Sequence, residues 1–274
     1  MRKILLSVMT IGLVVVAGIG ASRAFFSDVE TSTDNVFQAG TLDLLVDNTC
    51  TYNGGSCDLA GPTGATGVLT SWEPTDLQDG VHKFFYFGDV KPGDEGEDTI
   101  SLHVNNNDAW ACMDISTLAN DDNGCTEPES DPFDGNDSTC GSGQGELAQG
   151  LEFFAWNDIN GDNIYQPQDP YFESYLFTNI SGPASDVLGG RTYGLADSSY
   201  NVFTGSPGPL TGDTDYHIGL QWCAGDMSVN TGDGTITCNG NTMGNDTQSD
   251  SVTADLAFRV EQWRNNDTFT CQPL

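Results

Sequence analysis

The sequence predicts an all-β protein, a jelly-roll-like β-sandwich with two long loop insertions. Three observations lead there. First, residues 251–264 alternate: Val252, Ala254, Leu256, Phe258 and Val260 point one way, Thr253, Asp255, Arg259 and Glu261 the other. A period of two with one apolar row is a strand lying half on a core and half in water. Second, helical periodicity is absent beyond residue 24. Third, 33 glycines and a hydrophobic content of 37% suit short strands joined by turns.

Residues 1–24 read as a secretory signal peptide. Arg2 and Lys3 precede the apolar run Ile4 to Ala21, and Ser22-Arg23-Ala24 offers small residues on either side of Arg23 for a cut after Ala24. The run is long enough to span a bilayer as an uncleaved anchor. The cleavage site, with no basic stop-transfer cluster after it, favours removal. Arg2, Lys3 and Arg23 leave with it, so of 8 basic residues 5 remain against 40 acidic ones, a net charge of −35. Such a surface repels nucleic acid and anionic lipid and attracts cations. Contact with a membrane is expected only through the signal before cleavage. Self-association needs metal ions or buried contacts to offset the repulsion.

Phe25-Phe26-Ser27-Asp28-Val29 opens the mature chain. These aromatics either fold back as a first strand of their own sheet or leave to complete the sheet of a neighbouring copy. Leu42, Leu44 and Val46 alternate as a strand, followed by a Gly-rich loop to Thr70. Phe84 to Val90 reads as an aromatic strand. Lys91-Pro92-Gly93-Asp94 has the residues of a type II turn. Ile100, Leu102 and Val104 mark the next strand, and Ala109 to Ile115 another. Residues 116–150 form the first insertion, acidic and Gly-rich. Leu151 to Trp156 is a strand. Residues 158–210 form the second insertion, with one strand at Phe172–Phe177. Tyr216, Ile218, Leu220 and Trp222 alternate again, ahead of the excursion between Cys223 and Cys238. Residues 38–274 are thus expected to be one sandwich domain, preceded by a donor-strand candidate at 25–37.

Eight cysteines in a secreted chain, Cys50, Cys57, Cys112, Cys125, Cys140, Cys223, Cys238 and Cys271, imply disulfides. Their pairing is open from sequence. No Cys-x-x-Cys pair points to zinc.

The sharpest local motif runs from Asp158 to Asp169. Asp158, Asn160 and Asp162 stand at the first, third and fifth positions of a Ca²⁺ loop, Ile164 can offer a backbone carbonyl at the seventh, and Asp169 closes at the last. A hard cation needs many oxygens from one tight turn, which this spacing supplies. Asn163 stands where glycine is usual, and Asn tolerates left-handed geometry. The implied cofactor is a structural Ca²⁺; an Asp/Asn-rich turn in an acidic protein is the plainer alternative. No catalytic residue is assigned. The three histidines, His82, His103 and His217, form no His-Glu-x-x-His, although His103 and His217 sit on polar rows of different strands and could meet. There is no Gly-x-Ser-x-Gly. Trp72, Trp110, Trp156, Trp222 and Trp263 could line a sugar-binding face, or serve as core anchors.

Several blocks resemble one family. The Gly-containing apolar run, Ala24 to Ser32, and Phe37-Gln38-Ala39-Gly40-Thr41-Leu42-Asp43-Leu44 are similar to the TasA/camelysin family of secreted proteins. Further matches are Lys91 to Asp94, Gln248 to Ser251, Phe258, Gln262 and Arg264-Asn265-Asn266. The resemblance implies processing by a dedicated signal peptidase and a jelly-roll subunit of extracellular biofilm-matrix fibres. In such a homopolymer the N-terminal segment adds as a strand to the next copy; here Phe25, Phe26, Val29, Val36 and Phe37 are the apolar candidates. The family also carries a metallopeptidase label, so a camelysin-type peptidase is the alternative expectation, with a surface adhesin or binding module as a third.

Overall fold

The computed structural model describes residues 41–57, 67–133 and 135–273. The strands are β1 (Asp43–Tyr52), β2 (Gly55–Ser56), β3 (Trp72–Thr75), β4 (Glu95–Asn105), β5 (Ala109–Asp121), β6 (Leu151–Asp158), β7 (Ser181–Pro183), β8 (Arg191–Ala196), β9 (Thr214–Ala224), β10 (Asp226–Val229), β11 (Ile236–Asn239) and β12 (Ser251–Gln262). Single helical turns sit at Leu147–Gly150 and Ala184–Val187. The chain is all-β. A seven-stranded antiparallel sheet runs β2-β1-β4-β9-β6-β7 with β3 on β1; a three-stranded sheet runs β12-β5-β8. None of the described helices is long and apolar enough to cross a membrane.

The core lies between the two sheets because alternate residues of each strand face inward. Ile100, Leu102 and Val104 of β4 meet Ile218, Leu220 and Trp222 of β9, while Ala109, Ala111, Met113 and Ile115 of β5 face them from the short sheet. The far side of the short sheet is closed by the segment after β12. Trp110 donates to the Asn266 carbonyl at 2.6 Å and stacks on Phe269, and Cys112 is bonded to Cys271. Arg259 reaches Asp114 at 3.0 Å, an acid that Thr192 also binds. The other disulfides are Cys50–Cys57, Cys125–Cys140 and Cys223–Cys238.

A second apolar cluster sits on the outer face of the large sheet. Phe154, Trp156, Tyr165, Cys223 and Met227 are buried there, beneath the β10–β11 hairpin. Gly219 makes this possible: a Cβ at that position would stand 2.1 Å from the Trp156 indole.

The structure differs from the sequence reading in several places: β1 runs on to Tyr52 where a loop was expected, β3 was not foreseen, and β5 continues to Asp121 inside the first insertion. Phe84 to Val90 is not a strand. Phe84, Phe85, Phe87 and Val90 all belong to the core, which alternation to one face does not permit. The segment crosses the large sheet instead, with Phe85 on Phe153 of β6 and Phe87 on Trp222 of β9 and Tyr52 of β1. Phe172–Phe177 makes one bridge, Tyr175 to Trp156, and the strands of this region are β7 and β8. β8 is six residues long, contains Gly194 and shifts register against β5, so its period is broken. In β12, register slips between Thr253 and Asp255, opposite Thr117 at φ 51°, and Ala254 is exposed rather than in the apolar row. The Lys91–Asp94 turn forms as expected, with Gly93 at φ 88°.

One acid lies inside the core. Asp98 is fully buried and accepts from Asn48 Nδ2 at 2.8 Å. Burial pushes its carboxyl up to about 8, against the opposing Asn48 hydrogen bond and with the Glu97 charge adding. Its ordinary value is 3.8, so the folded state holds a proton that the unfolded state releases, and stability falls as pH rises from about 4 through about 8. Asp98→Asn removes this dependence while its amide can pair with Asn48, whose Oδ1 lacks a partner. Urea midpoints at about pH 5 and pH 8 should differ less in the variant than in the parent.

Candidate functional site

One polar row crosses the outer face of the large sheet. Asp47 of β1, Ser101 of β4, His217 of β9 and Asp158 of β6 are successive Cα partners. His103 lies next to this row, with Nε2 2.7 Å from Asp47 and Nδ1 2.7 Å from Asp215. It pins three strands together. Burial draws its pKa down, but the hydrogen bonds and charges of Asp47 and Asp215 outweigh that, and the net shift is upward. As an imidazolium it donates to both acids.

Asp158 anchors the loop at the end of the row. Its side chain is fully buried, and both oxygens accept backbone N–H bonds: Oδ1 from Gly161 at 2.8 Å and Asp162 at 3.3 Å, Oδ2 from Asn163 at 2.7 Å. Asn163 is left-handed at φ 58°, as the sixth position of such a loop requires. Gly161 lies against the His217 ring, where a Cβ would be 3.0 Å from Cδ2. Asp162 accepts from Ile164 N–H, Asn160 Nδ2 and Gln166 Nε2. Asn160, Ile164 and Asp169 are exposed.

The sequence reading missed the loop's second anchor. Glu173 is 3% exposed, and its two oxygens accept from Ile159 and Gln166 N–H at 2.9 and 2.7 Å. Burial pushes its carboxyl up to about 7; those backbone bonds oppose the shift, and the Asp158 and Asp162 charges add to it. Asp158 and Glu173 thus close the loop from opposite ends. Asp158 Oδ2 and both Glu173 oxygens accept one N–H each, so each keeps a further lone-pair direction that an ion can take. No local spacing marks Glu173; the signal was an acid just beyond the motif, flanked by aromatics.

A catalytic zinc needs three converging ligands and an open position. The histidines do not supply them among the described residues. Both ring nitrogens of His103 are held by carboxylates, Nδ1 of His217 meets Ser101 Oγ at 3.0 Å, and Nδ1 of His82 takes the Gln78 N–H. Ser101, whose hydroxyl meets His217, is itself buried. The tryptophans form no common face: Trp110, Trp156 and Trp222 are buried, the last two in different clusters.

The donor candidates Phe25, Phe26, Val29, Val36 and Phe37 lie outside the described residues, as does the signal peptide expected at residues 1–24. The described residues do include an unpaired sheet edge. Among the described residues β12 pairs only with β5, leaving its other edge open. Val252, Leu256, Phe258 and Val260 pack against the core yet stay only partly buried, and Phe258 meets Phe84 edge-on at 5.9 Å. A twelve-residue edge with an apolar row is a template for another strand.

Asp158→Ala would leave the N–H groups of Gly161, Asp162 and Asn163 without their acceptor. The expected loss is about 2–4 kcal/mol of unfolding free energy, read from denaturant titration.

No curated protein matches this chain. Residues 1–54, which include β1 and the turn after it, match the family model described as camelysin metallo-endopeptidase, the family that the N-terminal motifs resemble.

Proposed function

We propose that the mature chain is a secreted structural subunit of extracellular fibres, polymerising by donation of residues 25–37 as a strand to the next copy. The observation that carries this reading is the open edge of β12 with its half-covered apolar row. A strand laid there gains backbone hydrogen bonds from the edge and buries the rest of Val252, Leu256, Phe258 and Val260. The aromatic residues at the start of the mature chain have the chemistry for it. The camelysin match over residues 1–54 supports the family from which the expectation comes.

The Asp158–Asp169 loop enters the same reading as a site for a structural Ca²⁺. Asp158, Asn160, Asp162, the Ile164 carbonyl and Asp169 would supply its oxygens, with the left-handed Asn163 allowing the turn. A bound cation would also lower the repulsion between subunits that each carry a large negative charge.

Deleting residues 25–37 should give a folded monomer that forms no filaments under negative-stain electron microscopy, while the parent forms them. Added peptide 25–37 should bind the truncated protein. Filaments from the truncated chain would contradict the proposal.

A further inference from the structure

A second group of acids gathers far from the loop at Asp158. Asp122 ends the β5 side of the first insertion, Glu129 lies within it, and Asp250 directly precedes β12. Their carboxylate oxygens lie within 4.8 Å of one another. That is the widest separation a single ion at about 2.4 Å from each oxygen allows.

Acids crowd on many acidic surfaces without meaning. Here Asp122 and Glu129 are buried, Asp250 is partly buried, and two of the three acids carry a buried oxygen with no hydrogen-bond partner. Glu129 has no exposed surface; its Oε2 accepts from Thr126 N–H at 2.7 Å and from Thr126 Oγ1, but its Oε1 has no partner. Asp250 repeats the pattern: Oδ2 accepts from Glu146 and Leu147 N–H at 2.6 and 2.9 Å, and the buried Oδ1 has none. Glu146 adds a third buried oxygen without a donor, its Oε2. The charges acting on Glu146 come from Asp137, Asp250, Asp246 and Asp122, all of one sign. An unpaired buried carboxylate oxygen costs several kcal/mol in general, and like charges add to it. Glu129 and Asp250 each give one oxygen to backbone N–H groups and leave the other, buried, without a partner, while Asp122 Oδ1 accepts from Gly124 N–H at 2.7 Å.

We propose that Asp122, Glu129 and Asp250, with Glu146 beside them, bind a divalent cation of the calcium class. The donor set is all oxygen and anionic, which suits a hard ion. Cys125 and Cys140 stand next to Asp122 but are bonded to each other, so they offer no thiolate for zinc. The irregular surroundings, an insertion and two strand ends, fit the flexible six to eight oxygens of Ca²⁺ better than the octahedron of Mg²⁺. The ion would tie the first insertion to the start of β12. Nothing local in sequence announces it, because its ligands come from three separate stretches.

The test is Ca²⁺ calorimetry and thermal melting on the purified protein after chelation. The parent, Asp158→Asn and the double variant Glu129→Gln/Asp250→Asn are compared. The parent should bind Ca²⁺ and melt higher with it. The double variant should lose one site, with affinity falling by at least the roughly 10–100-fold that even outer-shell changes cost. In chelator it should melt no lower than the parent, since two repelling charges are gone. Asp158→Asn should keep this site. No Ca²⁺ uptake by the parent, or an unchanged isotherm in the double variant, would overturn the proposal. A double variant that melts far below the parent in chelator would overturn it too, because the acids would then hold the fold without an ion.

Discussion

A seven-stranded sheet presents more apolar face than a three-stranded sheet can cover, and the rest of the architecture responds to that mismatch. On one side the segment from Phe84 to Val90 crosses the large sheet and plugs the core with aromatic rings, bridging β6, β9 and β1. Past it stands β12, paired with β5 alone among the described residues and half covered. The short sheet is braced from behind by Trp110, the Cys112–Cys271 bond and the Arg259–Asp114 pair, so β12 is held as a rigid edge rather than a fraying one. A rigid, apolar, open edge invites a further strand.

Acid excess shapes the remainder. With few basic residues available, the carboxylates find backbone N–H groups instead. Asp158 and Glu173 fasten the second insertion this way, Asp197 accepts from Ser199, Tyr200 and Cys271, and Asp250 caps the turn at Leu147. Where donors run out, at Glu129, Glu146 and Asp250, the geometry turns toward a cation. His103, held between Asp47 and Asp215, is a local exception.

Much of the frame was legible because the apolar residues of β4, β9 and β12 write a period of two into the chain, while β6, covered on both faces, reads as a short apolar run. The aromatic segment misled because its residues pack in several directions at once, which mimics a strongly β-prone run. β8 was invisible: six residues with a glycine and a register shift leave no pattern to find. The loop at Asp158 was legible because a turn that wraps a carboxylate fixes short spacings. Glu173 and the Asp122 cluster were not, since tertiary folding rather than local spacing brings them in. That His103 and His217 lie on neighbouring strands could be anticipated; that carboxylates claim both nitrogens of His103 could not.

The central claim concerns what lies along the free edge of β12. A helical reconstruction of the assembled filaments by electron cryomicroscopy addresses it directly. The account predicts residues 25–37 of one copy running as a strand beside Ser251–Gln262 of the next, with their aromatic side chains over Phe258 and Val260. Filaments in which that edge faces solvent, or carries the N-terminal segment of its own chain, would contradict it.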